Sequence, residues 1–158
     1  PLNIASTPHL AGGMHSYSFD ELGFPTGRVQ LIENSRVKNF LIDGRYADLL
    51  GLPRTSALMN IEVDCGVTAY ADFLQDGVLE LTKFSTFQPN TISGAFSGEI
   101  RLGYLHKAGK KIPIKGGSVS GSTQTAFARS LRSAERVQRG AYSGPKGVFF
   151  ESLTVAGS

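Results

Sequence analysis

Two β-branched, partly alternating runs, Arg28 to Glu33 (RVQLIE) and Arg36 to Ile42 (RVKNFLI), are separated only by Asn34-Ser35. So short a connection can join only antiparallel strands, and it predicts a hairpin whose first φ > 0 position is taken by Asn34. Ser35 is a poorer second turn residue than glycine. The pattern recurs downstream. Glu99 to His106 alternates, with Ile100, Leu102 and Tyr104 on one side and Glu99 and Arg101 on the other. Ala108-Gly109 then turns the chain and KKIPIK returns beside it. Pro113 has no N–H to donate, which places that returning strand at an edge or a bulge.

Helical signals are fewer. Asp43 is a candidate N-cap for GRYADLL, with Leu49 and Leu50 expected to pack inward, Gly51 to end the helix and Pro53 to confirm the stop. Thr68 is a second N-cap candidate, before AYADFLQ, with Asp76-Gly77 closing that segment and VLELTKF following as a strand. A longer helix is predicted from Thr123 or Gln124 to Gln138, with Phe127, Leu131 and Ala134 as its apolar stripe. GVFFESLTV reads as a closing strand. Residues 1–23, rich in Gly, Ser, His and Pro, read as an irregular opening segment before a single domain over 24–158.

Hairpin links dominate, and no β-α-β rhythm appears. The expected class is therefore mainly β with a few helices (α+β), in an antiparallel sheet that is curled or barrel-like. Composition agrees: 19 glycines and no tryptophan in 158 residues suit a turn-rich architecture, and 41% hydrophobic against 18% charged residues excludes a disordered chain. The single cysteine, Cys65, excludes an internal disulfide and a multi-cysteine metal site. No apolar run approaches the ~18 residues of a membrane span. The first residue is Pro1 rather than methionine, as expected of a processed chain or a piece of a longer one.

Few residues offer chemistry. His9, His15, His106 and Cys65 are the candidate soft ligands, and none has a metal-binding spacing, so surface histidines and a buried thiol are the simpler expectation. Gly94–Gly98 and Gly117–Gly121 each contain serine among glycines, but in neither is serine the centre of a G-x-S-x-G elbow between strand and helix. Gly144-Pro145-Lys146-Gly147 lacks the glycine spacing and following helix of a phosphate loop and reads as a tight turn. Arg129, Arg132, Arg136 and Arg139 would line the outer face of the long helix. A solvated face is the first reading of that stripe, a protein partner the second and nucleic acid the third.

The stretch FDELGFPTGRVQLIENSRVKNFLIDGRYADLLGLPRTS resembles the C-terminal region of the TldD/PmbA family, in which PmbA is also called TldE. Members have an Asp-x-x-Gly start, a hairpin closed by Asn-Gly, a Tyr-x-Ala helix ending in Leu-Gly and a threonine-glycine segment. Asn34-Ser35 stands at the hairpin turn, and Tyr46-Ala47 and Leu50-Gly51 fit the helix and its stop. Asn90 to Gly98 falls on the family's Thr-Gly-Asp-Phe-Ser-x-Gly segment, and SLTVAG resembles its final strand. The match runs in order from about Gly13 to the end of the sequence; the colinearity carries it.

The resemblance implies a cytoplasmic microbial protein of a family that includes zinc metallopeptidases acting on small or unfolded peptides. Active members carry H-E-x-x-x-H on a helix N-terminal to this region, with a cysteine near the C-terminus as third ligand. Ser143 stands about where that cysteine occurs, and Ala95 replaces the Asp of the Gly-Asp-Phe-Ser segment. Cys65 matches a different family position and is not promoted to ligand. These departures point to the PmbA-type partner rather than the zinc subunit, with no metal or cofactor of its own and no catalytic residue. Ser93, Gly94, Phe96 and Ser97 become candidates for lining a peptide groove, and Arg129, Arg132, Arg136 and Arg139 for a partner interface. The implied partners are a peptide or unfolded-protein substrate and a second subunit, as a homodimer or a heterodimer with a TldD-type chain; membrane and nucleic acid are not expected. A stand-alone β-domain that binds a peptide or protein is the alternative.

Overall fold

The computed structural model describes residues 1–55 and 57–157. In chain order the strands are β1 (Ile4–Thr7), β2 (Val29–Glu33), β3 (Arg36–Val37), β4 (Asn60–Val63), β5 (Leu79–Pro89), β6 (Ala95–Lys107), β7 (Lys110–Ile114), β8 (Ser118–Ser122), β9 (Ser130–Arg132), β10 (Arg136–Arg139), β11 (Tyr142–Pro145), β12 (Val148–Phe150) and β13 (Thr154–Ala156). Two short helices, α1 (Gly44–Leu50) and α2 (Thr123–Ala128), and a 3₁₀ turn at Tyr70–Phe73 complete the described elements. The fold is mainly β, and among the described strands all pairs but β4 with β11 are antiparallel; neither large sheet closes into a barrel. No described helix is long and apolar enough to cross a membrane.

The chain forms two compact units, one of residues 1–66 and 135–146, the other of residues 67–134 and 147–158. The first holds a sheet in the order β10-β11-β4-β1-β2-β3, with β4 and β11 the parallel pair. The expected hairpin is there: Asn34 and Ser35 both have positive φ (51° and 64°), the requirement of a turn whose twist matches its strands. Ser35 has a reason to be serine. Its Oγ accepts from the Leu2 N–H at 2.9 Å and its own N–H donates to the Leu2 carbonyl at 2.9 Å, so the turn grips the start of the chain. The second strand of the hairpin is shorter than the sequence suggests. It ends at Val37; the Lys38 N–H still donates to the Leu31 carbonyl at 2.8 Å, and beyond it the Asn39 side chain donates to the Gln30 carbonyl.

The opening segment read as irregular contains β1, which lies between β2 and β4 in the middle of this sheet. Its polar residues sit inside: Ser6 is 0% exposed and accepts from the Met59 N–H at 2.9 Å. Asn60, also 0% exposed, donates to the Thr7 carbonyl and Ser16 Oγ and accepts from the His15 N–H at 2.9 Å. One amide therefore fastens the loop after β1 to the sheet. Helix α1 has the predicted ends, with Asp43 Oδ1 accepting from the Tyr46 N–H and Gly51 left-handed at φ 62°. Its inner residue is Ala47; Leu49 and Leu50 point outward (78% and 59% exposed), against expectation, because a seven-residue helix lying on a small contact buries only one position.

The second unit is built on β6, in a five-stranded sheet ordered β13-β8-β6-β5 with β7 also on β6. Ala108 and Gly109 turn β6 into β7 with positive φ, and β7, which contains Pro113, pairs only with β6. Ile100 and Val119 (each 2% exposed), Phe73 and Ala126 form the core, with Phe73 stacked on Phe149 and Phe127 edge-on to Phe150. Thr68 caps no helix. It bridges to Ser133 and its carbonyl accepts the Ala134 N–H, and only a 3₁₀ turn follows.

The long helix over 124–138 is absent. Helix α2 stops at Ala128; residues 130–132 pair with β12, and residues 136–139 pair with β11. Short helices are marginal without packing, and here Phe127 and Leu131 remain 45% and 49% exposed, so strand pairing takes the following residues instead. The predicted closing strand is likewise two strands, β12 on β9 and β13 on β8.

Asn60→Ala should destabilise the protein by about 2 kcal/mol, because it removes the partner of the buried Thr7 carbonyl and of the His15 N–H. Ser35→Ala, which keeps the left-handed backbone but loses the acceptor, should cost about 1 kcal/mol, and Ser35→Gly less. Urea unfolding of the three variants checks both.

Candidate functional site

The hairpin between β5 and β6 carries the predicted groove residues. Asn90 Oδ1 accepts from the N–H groups of Ile92 and Ser93 (3.0 and 2.9 Å), and Gly94 takes the positive φ (73°) that closes the loop. Ser93 Oγ accepts from the Ala95 N–H, and the Gly94 carbonyl accepts both the N–H and the Oγ–H of Thr123 at 2.8 Å. Phe96 stacks on Phe87, which leans on Phe84, and Ser97 sits in register with Gln88 and Ser120. The SGAFSG cluster is thus the shaped end of a sheet. Ser93 Oγ and the Gly94 carbonyl are spent on holding the turn, and Ile92 at the tip is 98% exposed.

The four arginines do not share a helix face. Arg129 is the residue after α2 and Arg132 lies in β9, in the second unit; Arg136 and Arg139 lie in β10, in the first. Their even spacing was a coincidence of strand and turn.

Around Ser143 the first unit collects several polar groups. Ser143 is 4% exposed in β11, and the Arg136 guanidinium donates to its Oγ at 3.1 Å. Burial pushes the Tyr142 phenol up, nearby Cys65 adds to that, and Arg136 opposes it. A metal ion beside Ser143 would have to share the place with the guanidinium, and a hydroxyl is a poorer ligand than thiolate. No group of three His, Cys, Asp or Glu among the described residues could hold a metal. His9 lines a small concavity of about 300 Å³ with Tyr17, His15 is held by Asn60, and Gly144-Pro145 lies in β11 instead of forming a turn.

The tightest charged cluster was not foreseen. Glu80 accepts from Tyr70 OH (2.6 Å) and Lys111 Nζ (2.9 Å) and pairs with His106 Nε2 (3.0 Å), while the Lys111 ammonium lies 4.0 Å from the Tyr104 ring centre. Burial pushes the carboxyl up, but the hydrogen bonds from Tyr70, His106 and Lys111 outweigh it and hold the pKa at about 2. The cluster ties the 3₁₀ turn to three strands. Part of it was countable: from the Ala108-Gly109 turn, His106 falls opposite Lys111. Glu80 was not, because the β5/β6 register shifts repeatedly between Leu81 and Thr86. The same shifts shape a larger concavity, of about 590 Å³, where β5 and β6 meet the Lys115-Gly116 connector.

With this geometry in view, the comparisons define a class. The family model described as PmbA/TldA metallopeptidase C-terminal domain matches residues 1–157, and the chain belongs to that family. An uncharacterized protein of Methanocaldococcus jannaschii is 27% identical, the match covering 94% of this chain and 38% of that one. Two crystal structures share the fold: a candidate modulator of a DNA gyrase from Thermotoga maritima (TM-score 0.83, 23% identity, 98% of this chain and 39% of the other) and TldE from Thermococcus kodakarensis (TM-score 0.83, 18% identity, 99% and 40%). The chain thus spans well under half the length of each.

Glu80→Gln should destabilise the protein by about 2 kcal/mol at neutral pH. The folded pKa lies below the ordinary 4.5, so this contribution is complete above that value and fades as pH falls toward about 2. Thermal melts of both proteins across that interval should converge at the acid end.

Proposed function

We propose that the chain acts as the C-terminal domain of a PmbA-type subunit in a peptidase assembly, without a zinc site of its own, contributing walls to a peptide cavity and a subunit interface. The observation that carries this reading is the family match over residues 1–157. The partner is a TldD-type chain or a second copy, the substrate is a peptide or unfolded protein, and the compartment is the cytoplasm. In this scheme the hairpin end at Ser93, Gly94, Phe96 and Ser97 borders the groove through its rigid backbone and the Phe96 ring. Arg129, Arg132, Arg136 and Arg139 remain candidates for the interface, as separate contacts and not as one stripe.

Purified protein should keep only substoichiometric zinc after dialysis and leave an unfolded test peptide intact. Cleavage should begin when a zinc-bearing TldD-type subunit is added. One tightly held zinc per chain with chelator-sensitive cleavage by the chain alone would overturn the reading.

A further inference from the structure

We propose that the larger concavity of the second unit is a docking site for a short carboxylate-rich peptide segment. Lys83 and Ser85 of β5, Glu99 and Arg101 of β6, and Lys115 of the β7–β8 connector line it. Lys83, Arg101 and Lys115 are exposed, and none of their side chains is engaged in a hydrogen bond or ion pair among the described residues. That sets them apart from Arg28, Lys38, Arg54 and Lys111, each of which meets a carboxylate. Three cations against Glu99 leave a local charge of +2, in a chain whose total is +3.

The backbone that carries Lys115 is tied to β6. β7 leaves β6 after Ile114, and the chain rejoins β6 through the Gly116 N–H on the Ile100 carbonyl (3.0 Å) and the Ile100 N–H on the Gly117 carbonyl (2.9 Å). Positive φ at Gly116 and Gly117 (86° and 80°) makes that step possible, and a Cβ on Gly117 would lie 2.5 Å from the Ala156 carbonyl oxygen. Lys115 is thereby fixed opposite the bulged part of β5 that carries Lys83 and Ser85. Cations presented by a fixed backbone lose less freedom on binding than cations on a loop.

The chemistry selects the occupant. Spaced Asp and Glu side chains can meet the three cations, Arg101 in bidentate fashion, while an amide or hydroxyl faces Glu99 and Ser85. A continuous phosphate backbone would be repelled at Glu99, and no aromatic ring lines the concavity for bases to stack on. The inference stands whether or not the chain works beside a zinc subunit.

Fluorescence anisotropy of a labelled oligoglutamate peptide on the intact chain tests it. Saturable binding that weakens with salt is expected; Lys83→Glu with Arg101→Glu should loosen it at least about tenfold, and Glu99→Gln should tighten it about twofold. Circular dichroism melts establish that the variants fold; if the double variant does not, Lys115→Ala alone should loosen binding about threefold. Binding unchanged in the folded variants overturns the proposal. So does a single-stranded oligonucleotide of equal charge that binds more tightly than the peptide.

Discussion

A strand of thirteen residues has more hydrogen-bonding edge than one short neighbour can satisfy, and β6 imposes that problem on everything around it. One edge is taken by β5, at the cost of repeated register shifts. The other is divided between β7 at its far end and β8 at its near end, with the glycine step at residues 116–117 between them. The division determines where functional groups can lie. At the β7 end, cross-strand neighbours bring Glu80, His106 and Lys111 together; at the break between β7 and β8, Lys83, Arg101 and Lys115 surround open space. The first group is neutralised internally and rigid, whereas the second is left uncompensated.

The first unit solves a different problem. Its central strand is only four residues long and half polar, so apolar burial alone would not hold it. Hydrogen bonds do. Ser6 and Asn60 close the interior, and Ser35 and Asn34 clasp Leu2 and Asn3 from the neighbouring turn. Such a network is stable only when complete, because a buried donor or acceptor without a partner costs more than the bond gains.

This division explains what the sequence disclosed. Positive-φ turns are local, so Asn34-Ser35 and Ala108-Gly109 were legible, as were Asp43 and Gly51 at the ends of α1 and the edge position of Pro113. Strand β1 was not, because beside Ala5 its buried residues are serine and threonine, whose hydrogen-bond partners lie more than fifty residues away. The long helix was inferred from a periodicity that strand pairing overrode. The hairpin end at Ser93–Ser97 was singled out only through the family resemblance, since its glycine and serine pattern matched no catalytic turn. The cationic concavity had no such trace, since Lys83, Arg101 and Lys115 converge only through bulges that no short motif encodes.

The chain passes between its two units three times, after Gly66, after Ala134 and after Lys146. Neither unit is therefore a continuous piece of sequence. The first sheet is completed by β10 and β11, which are synthesised only after β5 to β9. A ribosome-bound chain that has emerged only as far as Gly66 holds β4 with one flank bare. Its most exposed backbone must wait for β11, about eighty residues downstream, a loop-closure cost that grows only slowly with length but delays the contact that repays it. The second unit waits longer still, because β9 and β8 receive their partners β12 and β13 only after β10 and β11 have been made, so during synthesis a chaperone would find bare strand edges in both units.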